Sequence, residues 1–245
     1  MTKVYHGDCF DFLPLIPDKS VDLILADLPF GTTQNKWDSV LPLDKLWVEY
    51  KRIAKPNAAI LLFAQSPFDK ILGCSNLPML KYEWIWEKPK ATGFLNAKKS
   101  PLKAHENILI FYSKPPTYNP QMTKGEPYNK GLIKGENGHG TYGHFKAKLR
   151  KNESGDRFPR SVIKFKTPES EGRTYHPTQK PVELLRYLIR TYSNEGDVVL
   201  DNTAGSLSTG VACEAEGRAC ILMEKESIYL YPGLERLKPG YKLIS

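Results

Sequence analysis

The chain alternates between short, continuously apolar segments and segments whose apolar residues recur at helical spacing. Continuous apolar runs bounded by turn-forming residues are typical of buried strands, and a three-to-four-residue spacing is typical of amphipathic helices. The apolar runs predict strands at 4–6, 21–27, 58–63, 82–86, 107–112, 197–201 and 219–224. The helical spacing predicts helices at 11–15, 43–54, 67–72, 181–189, 208–216 and 227–237.

Strands that alternate with helices predict an α/β fold, in which a parallel sheet carries helices on both faces. Ligands of such sheets bind beyond the carboxyl ends of the strands, near a change in strand order. Asp27, Asp201 and Glu224 each lie at the predicted carboxyl end of a strand. These three acids therefore mark a candidate site.

The periodicity is lost between 113 and 175, where glycine, proline, lysine and aromatic residues are mixed. A connection of this length is uncommon in a compact domain unless it is functional or mobile. It separates a first half, 1–112, from a last half, 176–245, with an irregular basic insertion at about 113–175. At 245 residues the three parts fit one domain, 1–245.

The composition favours neither a membrane protein nor a metal protein. No apolar stretch reaches the roughly 18 residues of a transmembrane helix, and the first residues lack the apolar segment of a secretory signal. We therefore expect a cytoplasmic protein without a membrane partner. The cysteines show no Cys-x-x-Cys spacing, so free thiols are expected rather than a zinc site; they are Cys9, Cys74, Cys213 and Cys220.

Positive charge is concentrated in the middle of the chain. The net charge is +8, and residues 81–173 contain 19 Lys and Arg against 9 Asp and Glu. The remaining residues contain 16 Lys and Arg against 18 Asp and Glu, so the charge outside the middle segment is nearly balanced. Clustered lysines and arginines bind phosphates and release counterions, which favours a nucleic-acid partner over a merely solvated basic surface.

A four-residue motif at the end of the second predicted strand, Asp27-Leu28-Pro29-Phe30, combines a carboxylate, a turn and an aromatic ring. The ring can stack on a flat base, while the carboxylate and a turn carbonyl accept hydrogen bonds from an exocyclic amine. The motif resembles the Asp-Pro-Pro-Tyr catalytic motif of amino-group DNA methyltransferases, with leucine and phenylalanine replacing one proline and the tyrosine. Those enzymes methylate adenine N6 or cytosine N4 with S-adenosylmethionine.

Two further segments resemble motifs of the same family. Residues 176–181, His-Pro-Thr-Gln-Lys-Pro, closely resemble its His-Pro-Thr-x-Lys-Pro motif. Residues 201–210 resemble its Asp-x-Phe-x-Gly-Ser-Gly-Thr-Thr motif, with Leu207 where a second glycine is usual and Ser208 where a threonine is. Small residues in such a strand-to-helix turn let backbone amides approach a ligand, and the start of a helix favours a carboxylate.

The resemblance implies which residues hold S-adenosylmethionine. Glu224 would accept hydrogen bonds from the ribose hydroxyls, and Lys180 would contact the methionine carboxylate. Asp8 would lie near the adenine, although a helix cap is the alternative for this residue. The expected cofactor-binding residues are Asp8, Asp27, His176, Thr178, Lys180, Asp201, Gly205, Ser206, Ser208, Thr209 and Glu224.

The order of the motifs is similar to that of the β class of these enzymes, in which a target-recognition segment separates the catalytic half from the cofactor-binding half. The resemblance extends from Tyr5 to about Leu230, although no motif falls within 113–175. It implies a Rossmann-like methyltransferase sheet, mostly parallel with an antiparallel hairpin.

The family chemistry implies direct methyl transfer to a base flipped out of double-stranded DNA. Asp27 and the carbonyl of Leu28 would accept the amine hydrogens, with Pro29 shaping the turn and Phe30 stacked on the base. Expected DNA contacts are basic residues of the middle segment, namely Lys98, Lys99, Lys103, Lys146, Lys148, Arg150, Lys151, Arg157, Arg160 and Arg173.

Several alternatives stay open at this point. Adenine N6 is favoured as the target, with cytosine N4 as the alternative. Leu28 and Leu207 depart from the family motifs and would also fit a catalytically impaired DNA-binding protein with the same fold. RNA or a protein glutamine amide offers a similar planar amine, but the basic segment disfavours glutamine and the motif order favours DNA. A homodimer and a companion restriction endonuclease also stay open.

Overall fold

The computed structural model of the chain describes residues 1–33, 35, 37–133, 136–137, 144–145 and 147–245. They form two compact units, of which the larger consists of Met1–Asn119 and Ser161–Ser245 and the smaller of Pro120–Arg160. Among the described residues, none of the helices has the length and apolar character needed to cross a bilayer.

The strands and helices have the following bounds. The larger unit begins with the strands β1 Thr2–His6, β2 Val21–Ala26, β3 Ala54–Ala64, β4 Leu80–Thr92 and β5 Lys103–Phe111. The smaller unit contains β6 Thr123–Lys124, β7 Tyr128–Ile133, β8 Glu136–Asn137, β9 His144–Phe145, β10 Lys148–Asn152 and β11 Asp156–Arg157. The larger unit resumes with β12 Val162–Lys164, β13 Val198–Asp201, β14 Ala219–Glu224 and β15 Lys242–Ile244. Its α-helices are α1 Cys9–Phe12, α2 Leu43–Ile53, α3 Phe68–Ser75, α4 Val182–Tyr192, α5 Ser208–Ala215 and α6 Ser227–Leu234.

The larger unit is built on a nine-stranded sheet with the strand order β12-β4-β5-β3-β2-β13-β14-β1-β15. β5 runs antiparallel to its neighbours β3 and β4, and the other neighbouring strands are parallel. The prediction of a mostly parallel sheet with one antiparallel hairpin is confirmed. The edge strand β15 was not predicted.

Apolar layers cover both faces of this sheet. Along β2, Leu23 and Leu25 belong to one layer, whereas Ile24 and Ala26 belong to the other. Helices α4, α5 and α6 contribute to the first layer, and α2 and α3 contribute to the second. The predicted placement of helices on both faces is confirmed. Burial on both sides explains why the central strands are continuous apolar runs in the sequence.

Helix α4 shows how local sequence positions part of the candidate site. It follows Pro181, whose nitrogen has no hydrogen to leave unpaired at the start of a helix. Its buried stripe contains Leu184, Leu185, Leu188 and Ile189, which pack in the first apolar layer. The packing of α4 therefore anchors the segment 176–181 that precedes it.

Short strands occur within the segment that showed no periodicity. In the smaller unit β7 pairs with β10, β6 with β11 and β8 with β9, all antiparallel. β12 belongs to the main sheet instead, where it pairs in parallel with β4. These strands are only two to six residues long, and several consist largely of polar residues and glycine. They therefore lack the apolar alternation by which strands are predicted.

Candidate active site

A cavity of about 840 Å³ lies in the larger unit, beyond the carboxyl ends of β1, β2, β3, β13 and β14. Parallel strands bring residues that are distant in the sequence to one edge of the sheet. The cavity walls contain every residue predicted for catalysis or cofactor binding, namely Asp8, Asp27, Leu28, Pro29, Phe30, His176, Thr178, Lys180, Asp201, Gly205, Ser206, Ser208, Thr209 and Glu224.

Asp27 is held by a buried lysine. Lys180 Nζ lies 2.5 Å from Asp27 Oδ2 and 3.3 Å from Glu106 Oε2, and only 7% of the Lys180 side chain is exposed. The second oxygen of Asp27, Oδ1, is buried and has no hydrogen-bond partner among the described residues. Buried acceptors are nearly always paired, so this oxygen is available to a donor that enters the cavity.

The charge states of this pair follow from burial and mutual attraction. Burial raises the pKa of Asp27 to about 6, although the charge of Lys180 opposes the rise. Burial also acts to lower the pKa of Lys180, but the facing carboxylates of Asp27 and Glu106 outweigh it and the pKa is raised. At neutral pH Lys180 is therefore an ammonium and Asp27 a carboxylate.

Glu106 and Lys88 extend this cluster, although neither lies in one of the sequence motifs. Glu106 on β5 forms an ion pair with Lys88 on β4. Burial acts to raise the pKa of Glu106, but Lys180 and Lys88 outweigh it and the pKa is lowered. Charges thus alternate from Lys88 through Glu106 and Lys180 to Asp27, and each buried ion faces an opposite charge. The signal in the sequence was weak, namely one acid directly before the apolar run 107–112.

The rest of the four-residue motif is fixed by packing. Phe30 is half-buried and stacks on Phe68, with ring centroids 5.3 Å apart and an angle of 25° between the ring planes. Leu28 is buried in the second apolar layer, which accommodates a leucine where the family motif has proline. The hydroxyl of Thr203 donates to the backbone carbonyl of Asp27 at 3.0 Å. This bond ties the motif to the loop that follows β13.

Asp201 organises the loop that follows β13. Its carboxylate accepts the backbone N–H of Thr203 at 3.1 Å and the hydroxyl of Thr209 at 2.6 Å. Burial raises the pKa of Asp201 to about 7. Both oxygens are used within the protein, so Asp201 shapes the loop through its neighbours.

Glu224 joins two backbone amides at the end of β14. Its Oε2 accepts the N–H of Gly205 and its Oε1 the N–H of Glu226, each at 2.7 Å. Each oxygen keeps a second lone pair for a further donor. Gly205 has a φ of +52°, a conformation that glycine adopts readily. Glu224 and the turn around Gly205 therefore form one connected wall of the cavity.

Leu207, which stands where the family motif has glycine, packs in the core. Its φ is +59°, again in the left-handed region, and its side chain is fully buried in the first apolar layer. The cavity walls include Ser206 and Ser208 but do not include Leu207. A close approach of Gly233 makes room for it, since a Cβ at Gly233 would lie 2.8 Å from Leu207 Cγ and 2.9 Å from the carbonyl carbon of Ser206.

We expect Gly233→Ala to destabilise the protein, because its methyl group would overlap Leu207 and the backbone of Ser206. Overpacking of this kind costs about 1–3 kcal/mol, measurable by urea unfolding. Gly73→Ala in α3 is the matched control, since its Cβ would meet Leu80 at an ordinary 3.5 Å. That control should be neutral or slightly stabilising. Equal stability of Gly233→Ala and the wild type would contradict the packing described for Leu207.

His176 supports the cavity wall as a neutral ring. The backbone N–H of Thr178 donates to its Nδ1 at 3.2 Å. The ring centroid lies 4.0 Å from that of Tyr229 and 5.0 Å from that of Trp37. Burial, reinforced by the charge of Lys180, lowers the pKa of His176 to about 4. Tyr229 and Trp37 also line the cavity, and Tyr229 carried no signal in the sequence.

Asp8 acts as a helix cap. Its Oδ1 accepts the backbone N–H of Phe10 at 3.1 Å at the start of α1, and its Oδ2 lies 3.2 Å from Lys225 Nζ. Asp8 also lines the cavity, so the cap and a position beside a ligand are compatible.

Comparison with known proteins decides the family. The sequence matches the profile of a DNA methylase family, the N6 and N4 methyltransferases, over residues 21–233. The chain belongs to this family. The methyltransferase is 32% identical to the DNA adenine methyltransferase YhdJ of Escherichia coli K12, over 96% of this chain and 82% of that protein.

Two solved structures show the same fold. The methyltransferase superposes on the complex of M1.HpyAVI with S-adenosylmethionine with a TM-score of 0.66 at 23% identity, covering 96% of this chain and 98% of that one. It superposes on the cytosine-N4-specific PvuII DNA methyltransferase with a TM-score of 0.69 at 15% identity, covering 98% of this chain and 88% of that one. The predicted methyltransferase sheet is confirmed.

S-adenosylmethionine is the cofactor of this family, and the cavity of the methyltransferase fits it. Glu224 offers free lone pairs to a diol, and the turn at Gly205 keeps a backbone edge close to the cavity. Within the part of the chain that the structure describes, no group of three or more metal-ligating side chains occurs. The four cysteines are free thiols.

The basic residues predicted to contact DNA occur in both units of the methyltransferase. Those exposed in the larger unit are Lys98, Lys99, Lys103 and Arg173, and those exposed in the smaller unit are Arg150, Lys151 and Arg160. Arg157 is used internally, since its guanidinium donates to the carbonyl of Gly155 at 2.7 Å and lies over the ring of Tyr128. Lys146 lies outside the described residues, and only the backbone of Lys148 is described.

Proposed function

We propose that the methyltransferase transfers a methyl group from S-adenosylmethionine to the N6 amine of an adenine flipped out of double-stranded DNA. The observation that carries the proposal is the state of Asp27. One carboxylate oxygen is fixed by Lys180 at 2.5 Å, and the other is a buried acceptor on the cavity wall without a partner among the described residues. An exocyclic amine is a suitable hydrogen-bond donor for this oxygen.

The chemistry needs an acceptor at this position. The exocyclic amine of a base is a weak nucleophile because its lone pair is delocalised into the ring. Hydrogen bonds to Asp27 Oδ1 and to the carbonyl of Leu28 favour a tetrahedral nitrogen whose lone pair is available. Stacking of the base on Phe30 contributes about 1–3 kcal/mol to its position. When bound, S-adenosylmethionine supplies an electrophilic methyl group on its sulfonium.

Lys180 is assigned to Asp27 rather than to the methionine carboxylate. Its ammonium is enclosed between Asp27 and Glu106 and is almost completely buried. Lys180 thereby keeps Asp27 ionised in a site where burial favours the neutral acid. A carboxylate accepts hydrogen bonds from the amine before transfer, and the amine becomes acidic only after it has gained the methyl group.

The cofactor is assigned to the wall formed by β13, β14 and the loops after them. Glu224 accepts hydrogen bonds from the ribose hydroxyls. The turn at Gly205 and Ser206 leads into α5 and presents backbone groups to the cavity, and Thr178 lines the same cavity. Asp201 holds this turn in place and is a positioning residue, because it is buried and both of its oxygens bond to residues of the loop and of α5.

Base flipping follows from the position of Asp27 on the wall of a cavity. A base that stays stacked in a duplex cannot bring its amine to this side chain. Exposed basic residues contact the phosphates and hold the duplex, and Lys98, Lys99, Lys103 and Arg173 of the larger unit are available for this. Arg157 is a weaker candidate because its guanidinium already binds backbone carbonyls.

Adenine is preferred over cytosine because the relative at 32% identity is an adenine methyltransferase by name. The cytosine-N4-specific structure shares the fold at 15% identity, which does not bear on the base. A catalytically impaired protein is disfavoured because Leu28 and Leu207 are both buried in apolar layers.

Nucleoside analysis tests the proposal. DNA from a host without DNA methylation that expresses the chain should contain N6-methyldeoxyadenosine when digested and examined by mass spectrometry. The same host expressing Asp27→Ala is the control. N4-methyldeoxycytidine instead would assign the activity to cytosine. Neither nucleoside, together with no binding of S-adenosylmethionine in calorimetry, would identify an impaired protein.

A further inference from the structure

Two large apolar side chains project from the connection between β4 and β5. Phe94 is 81% exposed and Leu95 is 98% exposed. Two adjacent apolar side chains this exposed are unusual on a monomeric protein and indicate a surface that another molecule covers. We refer to residues 93–102 as the β4–β5 tip.

The β4–β5 tip is held together by its own backbone. The pairing of Thr92 with Lys103 closes it, and a 3-10 helix spans Phe94–Asn96. Within it, Asn96 N–H donates to the Gly93 carbonyl at 2.9 Å and Lys99 N–H donates to the Asn96 carbonyl at 2.8 Å. Gly93 begins the turn with a φ of +89°, which glycine adopts without strain. Phe94 and Leu95 are therefore presented on an ordered turn, so that little ordering is needed when they bind.

The β4–β5 tip leads directly out of the cavity wall. Lys90, Ala91 and Thr92, the last residues of β4, line the cavity and immediately precede the tip. On the returning strand, Lys103 Nζ donates to the side chain of Gln65, another cavity residue, at 3.0 Å. Phe94 and Leu95 thus follow residues of the cavity wall within two to three positions of the chain.

The charge around the β4–β5 tip indicates which kind of molecule binds there. Residues 88–103 contain five lysines and no acidic residue. Lys98 and Lys99, within the tip, are exposed and free to contact phosphates. Apolar side chains flanked by lysines match a DNA duplex, whose base steps accept apolar wedges while the backbone is neutralised on either side.

We propose that Phe94 and Leu95 insert into the duplex beside the target and fill the space that the flipped base leaves. This inference rests on the proposed function and adds the residues that stabilise the opened duplex. In the paired duplex the target base stacks on its neighbours, and flipping removes that stacking at a cost. The side chains of Phe94 and Leu95 replace the lost contacts, while the reacting base lies in the cavity with Asp27.

The test compares methylation of two substrates by the double variant Phe94→Ala/Leu95→Ala. One substrate is a duplex that carries the sequence in which mapping finds the modified base. The other is the same duplex with the target base opposite an abasic position, where unpairing costs less. The double variant Ile71→Ala/Leu77→Ala is the control, because Ile71 and Leu77 are 56% and 60% exposed and do not line the cavity.

We expect Phe94→Ala/Leu95→Ala to lose about tenfold or more in kcat/KM on the paired duplex, as expected when a contact of about 1.4 kcal/mol is removed. On the unpaired substrate most of the loss should be recovered. The control should match the wild type on both. An equal loss of kcat/KM on both substrates would indicate a structural role for Phe94 and Leu95. No loss on the paired duplex would overturn the proposal that they insert into the duplex. A wild type that methylates neither substrate would contradict the proposed function instead.

Discussion

Asp27→Ala is expected to lower the rate of methyl transfer to DNA by about 10²–10³-fold or more, the range seen when one positioned polar group is removed from a transition-state site. The variant loses the acceptor for the amine, and neither Leu28 nor Phe30 can replace a carboxylate. Transfer of a radiolabelled methyl group from S-adenosylmethionine to DNA measures the loss.

The same variant should stay folded and bind cofactor. Lys180 keeps Glu106 as a counter-ion when Asp27 is removed, so no buried charge is left alone. Its Kd for S-adenosylmethionine, measured by calorimetry, should change by less than about tenfold. Phe30→Tyr is the matched control in the motif, because it keeps the aromatic ring, and it should retain activity. Full activity of Asp27→Ala would overturn the catalytic assignment.

Lys180→Met is expected to lower the free energy of unfolding by about 3–5 kcal/mol at neutral pH, the cost of breaking a buried ion pair from one side. Asp27 and Glu106 share this ammonium, and its removal leaves the Asp27 carboxylate without a cation in contact. Urea unfolding of the two proteins measures the difference. Methyl transfer should fall as well, because the pKa of Asp27 rises when Lys180 is removed and the protonated fraction of Asp27 is a poorer acceptor for the amine.

The loss of stability caused by Lys180→Met should depend on pH in a defined direction. Burial raises the pKa of Asp27 to about 6 in the wild type, and Lys180 opposes this rise, so the pKa is higher still in the variant. As the pH falls from 8 to 5, Asp27 becomes protonated in both proteins. A neutral Asp27 needs no counter-ion, so removal of the Lys180 ammonium destabilises the protein less. The loss of stability caused by Lys180→Met should therefore become smaller as the pH falls.

Lys225→Met is the matched control for Lys180→Met. Lys225 also pairs with an aspartate, Asp8 at 3.2 Å, but its side chain is 65% exposed. Exposed pairs contribute about 0–1 kcal/mol, so this variant should remain close to the wild type. If Lys180→Met were no more destabilising than Lys225→Met, the buried cluster would not stabilise the site as described.

The sequence could predict most of the sheet and the meeting of the motifs. Runs such as 21–27 and 58–63 are buried on both faces, and this leaves a strong apolar signal. Asp27, Asp201 and Glu224 follow such runs, so the topology of a parallel sheet was enough to bring them to one edge. Asp8 was predicted either to cap a helix or to lie near the cofactor adenine, and the structure shows the helix cap on a residue that lines the cavity.

The features of the site that the sequence did not predict depend on contacts between residues that are distant along the chain. Lys180 meets Asp27 across 153 positions of the chain, and no local pattern indicates which carboxylate a lysine will find. Lys88 lies among other charged residues near the end of β4, and Glu106 directly precedes an apolar run, so in the sequence neither differs from an exposed charge at a strand end. Leu207 departs from the family motif at the cofactor turn, and only the position of Gly233 reveals the space into which its side chain packs.

The most direct measurement is a crystal structure of the methyltransferase with a non-transferable analogue of S-adenosylmethionine and a duplex that contains the target sequence. We expect a flipped base in the cavity, with its exocyclic amine within hydrogen-bond distance of Asp27 Oδ1. Lys180 should remain on Asp27 Oδ2. A flipped base bound away from Asp27, with Oδ1 still unpaired, would contradict the role proposed for Asp27.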